Sequence, residues 1–489
     1  MDNGTRKWSE QQLAIFNQFK EGKGNTVVRA RAGTGKTTTI LEGISYAPEK
    51  KILLAAFNKK IAEELKTKLK NPFAEAKTLH SIGFGICMRN WGKTGLDNDR
   101  GDKIAMGILT AALGRAPSVI LMNNVKRLAS IGKNAAPFPT NEQLVDLAYQ
   151  FDLDPDETDP WTVEQMAGWA SNAMAKAAVK DGTLDFDDMV YVPVRNKWVR
   201  GTYDLVVIDE AQDMNATQLA LAAGVCKPTG RTFVVGDDRQ AIYGFRGADS
   251  NSLDRLKTEL KANELGLTIT YRCPKKIVEY AQRLVHDYMA APTAPDGEIT
   301  ISEFDELPKL AKPGNFVLSR KNAALAKVCL RLIRHGIRAL IEGKDIGKGL
   351  LNMIKKVGGN TIPAFLERLT KWEDRQIKRL KATGKKSAEA KIEVINDQTE
   401  TLRVIAQDCK GMVDFAAKIN SLFTETPEGK GAYVICSSVH KAKGLESDTV
   451  FVLQETLYPG GRVTVEEDNI QYVAVTRAKR HLIWVVGVS

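Results

Sequence analysis

Two parts of this chain share one rhythm: a short apolar run, polar or charged residues at its end, then an amphipathic segment. Thr26–Ala30 (TVVRA) reads as a buried strand, followed by a Gly-rich turn and a helix that begins near Lys36. Residues 51–57 (KILLAAF) read as a second strand, and the charged amphipathic helix KKIAEELKTKLK follows it. Tyr203–Ile208 (YDLVVI) runs into two carboxylates, and Thr232–Val235 (TFVV) runs into GDD. Strands apolar on both faces belong inside a parallel sheet, whose crossover helices cover both sides. Alternation with helices therefore predicts a parallel α/β sheet with its ligand site beyond the carboxyl ends of the strands. Asn315–Leu318, Tyr433–Ser437, Thr449–Leu453 and His481–Val486 predict a second sheet of the same kind.

Two long stretches break the rhythm. Residues about 88–183 and 346–425 have a mainly helical pattern, and the second is strongly charged (KRLKATGKKSAEAKIE). Their charges read as solvated helix faces rather than a binding surface. The expected organisation is a first sheet domain at 1–87 and 184–275, interrupted by a helical insertion at 88–183. A second sheet domain at 276–345 and 426–489 is interrupted at 346–425. A length of 489 residues fits several domains, and 43% hydrophobic with 26% charged residues is an ordinary globular composition.

No run of about eighteen apolar residues occurs, so neither a membrane span nor a membrane partner is expected. The first residues, MDNGTRKWSEQQ, lack the apolar centre of a secretory signal. The six cysteines include no CxxC pair, which argues against zinc or iron–sulfur binding and fits reduced thiols in the cytoplasm. Lys and Arg number 70 against 59 Asp and Glu, and this surplus of +11 favours a polyanionic partner without identifying it.

The chemistry concentrates at the predicted strand ends. Residues 30–37 read ARAGTGKT, a P-loop pattern except that Ala30 stands where the strict form has Gly. In such a loop the backbone of Ala32, Gly33, Thr34 and Gly35 closes around phosphate oxygens. Lys36 reaches the β- and γ-phosphates, and the Thr37 hydroxyl ligates Mg²⁺. The start of the following helix adds its positive dipole end. DEAQD at 209–213 supplies the complement: Asp209 as a Mg²⁺ ligand and Glu210 as the base that activates water. ATP and Mg²⁺ are therefore the expected cofactors. DFDDM at 185–189 reads as a cap on a strand–helix junction rather than as catalytic acid. Trp91, Trp161, Trp169, Trp198 and Trp372 read as core residues.

DEAQD together with VGDDRQAIYGFRGAD at 235–249 resembles motifs II and III of the UvrD/Rep class of superfamily 1 helicases. The remaining motifs follow in that family's order: WSEQQLAIF (8–16), AAFNKKIAEEL (55–65), TLHSIGFGI (78–86), TYRCPKKI (270–277), VLSRKNA (317–323), SSVHKAKGLE (437–446) and QYVAVTRAK (471–479). The resemblance implies two RecA-like P-loop domains, each with an inserted helical subdomain, with ATP held between them and a hinge stroke on hydrolysis. It assigns Gln12 to reading adenine, Tyr271 to stacking on it, and Gln240 to sensing the γ-phosphate. Arg272 and Arg477 would neutralise the transferring phosphoryl group, and Gly444 and Glu446 would contact phosphate and ribose. Thr38, also beside the nucleotide, stands where many relatives carry Arg, and Arg239 occupies an often acidic position; both bear on base selectivity.

A motor indifferent to sequence holds single strands by phosphate contacts and by stacking bases on aromatic rings. The family pattern places such contacts at Phe57, Tyr243, Phe245 and Arg246, and strand-contacting or coupling residues at Thr78, His80, Arg320 and His440. By itself Phe57 reads as a core residue, whereas the polar GFRG turn favours exposure of Tyr243 and Phe245. The resemblance implies 3′-to-5′ translocation on single-stranded DNA and action at junctions of single and double strands. Its second insertion is shorter than is usual in the family, which leaves protein partners unspecified. The chain ends soon after Ala478, so a fused nuclease is not expected there. A translocase that strips proteins without unwinding, a scaffold with a decayed ATPase, and an RNA track are the rival readings.

Overall fold

The computed structural model describes residues 7–56, 59–151, 153, 161–242, 252–382, 388–424, 430–461 and 463–488. Phe57, Tyr243, Phe245 and Arg246 lie outside them. The chain divides into two compact units, Met1–Arg31 with Gly35–Thr268, and Ala32–Thr34 with Ile269–Ser489.

The first unit is built on a parallel sheet of β1 (Thr26–Ala30), β2 (Ile52–Ala56), β3 (Ala74–Thr78), β4 (Tyr203–Ile208), β5 (Cys226–Gly236) and β6 (Asn263–Leu267). Their order is β3-β2-β4-β5-β1-β6, and every pairing is parallel. Period-two alternation gives the central strands β1, β2 and β4 two buried faces. Ile52, Leu54 and Ala56 join one core with Leu205 and Val207, while Leu53 and Ala55 join another with Val206 and Ile208. Helices α1 (Glu10–Glu21), α2 (Lys36–Tyr46) and α3 (Lys59–Lys68) close the first face through Ile15, Phe19, Ile40 and Leu65. The second is closed by α4 (Leu79–Trp91) and by the helix Ala216–Gly224. Strand β5 extends well before the apolar Thr232–Val235 run, because its first half is polar and only Arg231–Gly236 is continuously buried.

A helical layer runs between α4 and β4: α5 (Arg100–Leu113), α6 (Val119–Ala135), α7 (Asn141–Gln150), α8 (Val163–Ala177) and α9 (Asp188–Arg195). It has its own core of Leu109, Leu121, Leu128, Leu144, Met166 and Met174, which Trp91 and Tyr191 also enter. Trp161, Trp169 and Trp198 pack half-buried against it.

The acids at 185–189 cap the start of α9 and do more. Asp185 Oδ1 accepts the Asp188 N–H at 2.8 Å. Asp188, fully buried, is ion-paired to Arg100 of α5 and, at 2.7 Å, to Lys133 of α6. Arg100 also meets Asp181 at 3.0 Å. The acids thus fasten two inserted helices to the strand–helix junction.

The second unit holds a seven-stranded parallel sheet of β7 (Glu298–Glu303), β8 (Phe316–Ser319), β9 (Ala339–Glu342), β10 (Phe423–Thr424), β11 (Val434–Ser438), β12 (Ser447–Leu453) and β13 (Ala478–Val486). The order is β7-β13-β12-β8-β11-β9-β10. Four helices lie between β9 and β10 (Lys344–Val357, Ile362–Ala382, Ala388–Ala406 and Met412–Leu422). Their Phe365, Leu369, Leu402, Phe415 and Ile419 share one hydrophobic cluster with Leu325, Val328 and Phe451 of the sheet layer, and Trp372 packs on its margin. Among the described residues no helix is long and apolar enough to cross a membrane.

Asp188→Ala leaves Arg100 and Lys133 buried without their shared anion, a change that costs about 3–5 kcal/mol. Burial alone pushes the Asp188 carboxyl up, but Lys133 and Arg100 outweigh it and hold the group below its ordinary value. The stabilisation is therefore present above the ordinary carboxyl range and is lost as pH falls below about 4. Urea unfolding of wild type and variant at pH 7 and at pH 3–4 is expected to show a large difference that shrinks with acid; a difference independent of pH contradicts it.

Candidate nucleotide site and strand-contacting residues

The order of the first sheet sends three motifs off one edge. Strand β1 runs into the 30–37 loop, β4 into Asp209, and β5 into Asp237. Gly33 and Gly35 have φ of +70° and +80°, backbone that a side chain would strain. They turn the loop so that α2 starts at Lys36 with no side chain capping its N-terminus. The first N–H groups of such a helix have no partner within it and favour an anion. Ala32 and Thr34 are buried in the loop, and Thr37 and Thr38 are half-buried at the first turn of α2.

Lys36 Nζ lies 3.1 Å from Glu210 Oε2, and the Thr37 hydroxyl 3.3 Å from Asp209 Oδ2. Burial, then the neighbouring Glu210, pushes the Asp209 carboxyl up to about 7. A hydroxyl and a carboxylate at this spacing are hard oxygen donors of the kind Mg²⁺ takes. Among the described residues no cluster of three or more His, Cys, Asp or Glu could hold a metal ion by itself. Glu210 sits at φ +53°, a conformation that costs a residue with a side chain about 1–2 kcal/mol. Its N–H donates to Asp209 Oδ1 at 2.9 Å, and its carbonyl accepts from the Asp213 N–H at 3.0 Å. The strained turn aims two adjacent carboxylates differently, one at Thr37 and one at Lys36.

Gln240 donates its amide to Asp237 at 2.6 Å, which fixes the side chain expected to sense phosphate. Two buried residues that motif spacing does not mark as functional complete this edge. Gln212 donates to Glu210 Oε2 at 2.6 Å and accepts the Asp237 N–H at 3.0 Å. Arg31 reaches Asp237 at 3.1 Å and Asp238 at 2.7 Å. For Gln212 the signal available in the sequence was a polar residue among strand-end acids, which does not by itself distinguish a bridge from a surface group; Arg31, between Ala30 and Ala32, carried none. Gln12 is the third residue of a capping box with Ser9 and also donates to Thr39 of α2 at 3.0 Å. It is thereby fixed beside the first turns of α2. Arg239 approaches Asp238 at 3.6 Å.

The second unit brings together Arg272, Arg477, Glu446 and Gly444. Arg272 Nε lies 2.6 Å from Glu446 Oε2, and its Nη1 lies 3.5 Å from the Thr476 carbonyl. Arg477 is 1% exposed and donates to the carbonyls of Val473 and Leu445 and to the Thr476 hydroxyl. Burial, then the charge of Arg272, lowers its pKa to about 10. Gly444 (φ +84°) and Glu446 line a cleft of about 630 Å³ with Lys479 and Asp448. Tyr271 leaves its ring half-exposed.

Of the expected strand contacts, Thr78 caps α4 by accepting the Ser81 N–H at 3.1 Å. His80, one turn in, stacks on Phe186 at 3.9 Å between ring centroids. Burial lowers the pKa of His80 despite the opposing charge of Asp187. Arg320 lies 3.3 Å from Glu467, and His440 is half-buried after β11.

Known proteins match this arrangement along most of its length. The family model of the UvrD/REP helicase N-terminal domain matches residues 8–261, and that of the UvrD-like helicase C-terminal domain matches residues 367–487. The chain therefore belongs to the UvrD/REP helicase family. It is 29% identical over 302 residues to a probable DNA helicase II homolog of Mycoplasma pneumoniae, covering 56% of this chain and 42% of that protein. It is 26% identical over 302 residues to the ATP-dependent DNA helicase PcrA of Staphylococcus aureus, covering 57% and 39%. F-box DNA helicase protein 1 of Schizosaccharomyces pombe is 23% identical over 524 residues, covering 97% of this chain and 57% of that protein. The chain spans 39–57% of the length of these relatives.

A buried arginine beside another cation adds little to stability. Arg477→Leu is expected to change the unfolding free energy by less than about 1 kcal/mol, because an apolar group of similar size replaces a costly buried charge. Denaturant unfolding measures this, and a loss of several kcal/mol would make Arg477 a structural residue.

Proposed function

We propose that this protein is an ATP-dependent DNA helicase that moves 3′ to 5′ along single-stranded DNA and separates strands where they enter a duplex. The observation that carries the reading is the convergence of Lys36, Thr37, Asp209 and Glu210 at one sheet edge, with Lys36 and Glu210 3.1 Å apart. Membership of a helicase family and the names of the matched relatives, all DNA helicases, support DNA as the track. Thr37 and Asp209 would hold Mg²⁺, which supplies positive charge to the phosphate oxygens. Lys36 binds the same oxygens and leaves Glu210 to take a proton from water. Gln240 senses the terminal phosphate, and Arg272 and Arg477 offset the charge of its transfer. Gln12, Tyr271, Gly444 and Glu446 hold base, ribose and phosphate.

Along the strand we assign base stacking to Phe57, Tyr243 and Phe245, and backbone contacts to Arg246, Thr78, His80, Arg320 and His440. Each stack contributes about 1–3 kcal/mol and is indifferent to sequence. The surplus of +11 supports phosphate binding that weakens with salt. Work on DNA and six free thiols suit the cytoplasm.

The test is ATP-driven unwinding of partial duplexes carrying either a 3′ or a 5′ single-stranded tail. Unwinding from the 3′ tail alone, with hydrolysis stimulated by single-stranded DNA, is expected. Unwinding from the 5′ tail overturns the polarity, and movement that displaces bound protein without opening duplex selects the stripping translocase instead.

A further inference from the structure

Arg31 occupies a place in the phosphate loop where the motif leaves the residue type open. Its N–H donates to the Leu267 carbonyl at 2.8 Å, which ties the loop to the end of β6. Its guanidinium lies 3.1 Å from Asp237 and 2.7 Å from Asp238, with 7% of the side chain exposed. The two acids are not equivalent. Asp238 is also paired to Arg29 at 3.1 Å, so a second cation already offsets it. Asp237 is wholly buried, and Arg31 is the cation in contact with it.

Asp237 is the hub of the nucleotide edge. Its Oδ2 accepts the Gln240 amide at 2.6 Å, and its Oδ1 accepts the Arg239 N–H at 3.2 Å. Its own N–H donates to Gln212 Oε1, whose amide nitrogen donates to Glu210 Oε2, the oxygen paired with Lys36. Preceding Asp237 is Gly236, where a Cβ would stand 2.7 Å from Gln212 Oε1, so the close approach requires glycine. Burial pushes the Asp237 carboxyl up, and Lys36 and Arg31 oppose that rise. Lys36 is the group a phosphate recruits, which leaves the Arg31 guanidinium against the Asp237 carboxylate.

We propose that Arg31 is a positioning residue for hydrolysis: its ion pair fixes the Asp237 carboxylate that orients Gln240, and with it the residue whose backbone N–H orients Gln212 beside Glu210. Arg31 thereby acts on the terminal phosphate without touching it. The proposal rests on the reading of residues 30–37 and 209–240 as a nucleotide-hydrolysing site.

The experiment is steady-state ATP hydrolysis with saturating single-stranded DNA on Arg31→Ala, Arg31→Gln, Arg31→Lys, Asp237→Asn and the double variant Arg31→Ala/Asp237→Asn. Arg31→Ala is expected to lower kcat on the order of ten-fold with KM for ATP within about three-fold, as loss of an interaction that acts in the transition state does. Arg31→Lys recovers most of kcat. In the Asp237→Asn background, Arg31→Ala removes less than about two-fold more, because two residues of one network do not add. An unchanged kcat, a KM that rises with the fall in kcat, or full additivity in the double variant overturns the proposal. If Arg31→Ala does not fold, Arg31→Gln against Arg31→Lys decides, since both keep size and only one keeps charge. Lys36→Ala in the same assay separates the two levels: retained turnover there sinks the nucleotide-site reading itself, whereas lost turnover with an indifferent Arg31 sinks the positioning role alone.

Discussion

Lys36, Asp209, Asp237 and Arg31 are each no more than 9% exposed, and all gather at one edge of the first sheet. A buried charge is tolerated only with a partner of opposite sign and hydrogen bonds for its remaining atoms. The rest of this edge is arranged around that requirement. Lys36 takes Glu210, Arg31 takes Asp237 and Asp238, and Gln212 joins the two pairs with one donated and one accepted hydrogen bond. Asp209 differs: burial and Glu210 push its carboxyl up to about 7 against the opposing Lys36, the Glu210 N–H and the Thr37 hydroxyl. Beside the Thr37 hydroxyl, such a carboxylate suits the cation-holding role proposed for it.

The same accounting extends into the helices. Asp188, Arg100 and Lys133 bury charge for anchorage, and they fasten α5 and α6 to the junction before α9. In the second unit the hydrogen bonds of Arg477 among the described residues go to two carbonyls and a hydroxyl, with the charge of Arg272 nearby. A positive charge kept buried at such cost is suited to an anion, and that is the chemical link between its geometry and the role proposed for it.

Much of the sheet framework was legible in the sequence, for a physical reason. Parallel strands buried on both faces appear as unbroken apolar runs, and TVVRA and YDLVVI coincide with β1 and β4. The polar first half of β5 was invisible to the same criterion, because it is not buried and its register with β4 is interrupted between the Tyr203–Cys226 and Leu205–Arg231 pairs. The helices between β9 and β10 read as an insertion by their charge, yet their buried residues belong to the core of the sheet layer. Side-chain partnerships were the least legible level. The acids at 185–189 gave no hint of Arg100, which lies far from them in sequence, and the open position held by Arg31 gave no hint of Asp237. Motif spacing indicates which residues meet a ligand but not which distant residues hold them there.

The proposed site divides labour between adjacent carboxylates, with Asp209 for the cation and Glu210 for the water. Glu210→Gln separates them, because the amide keeps the size of the side chain and removes the base. The direct measurement is equilibrium binding of Mg²⁺·ATP alongside its turnover by this variant. Binding close to that of wild type with hydrolysis reduced by at least about 10²-fold is the predicted result. Collapse of binding, or turnover near the wild-type rate, would contradict the assignment.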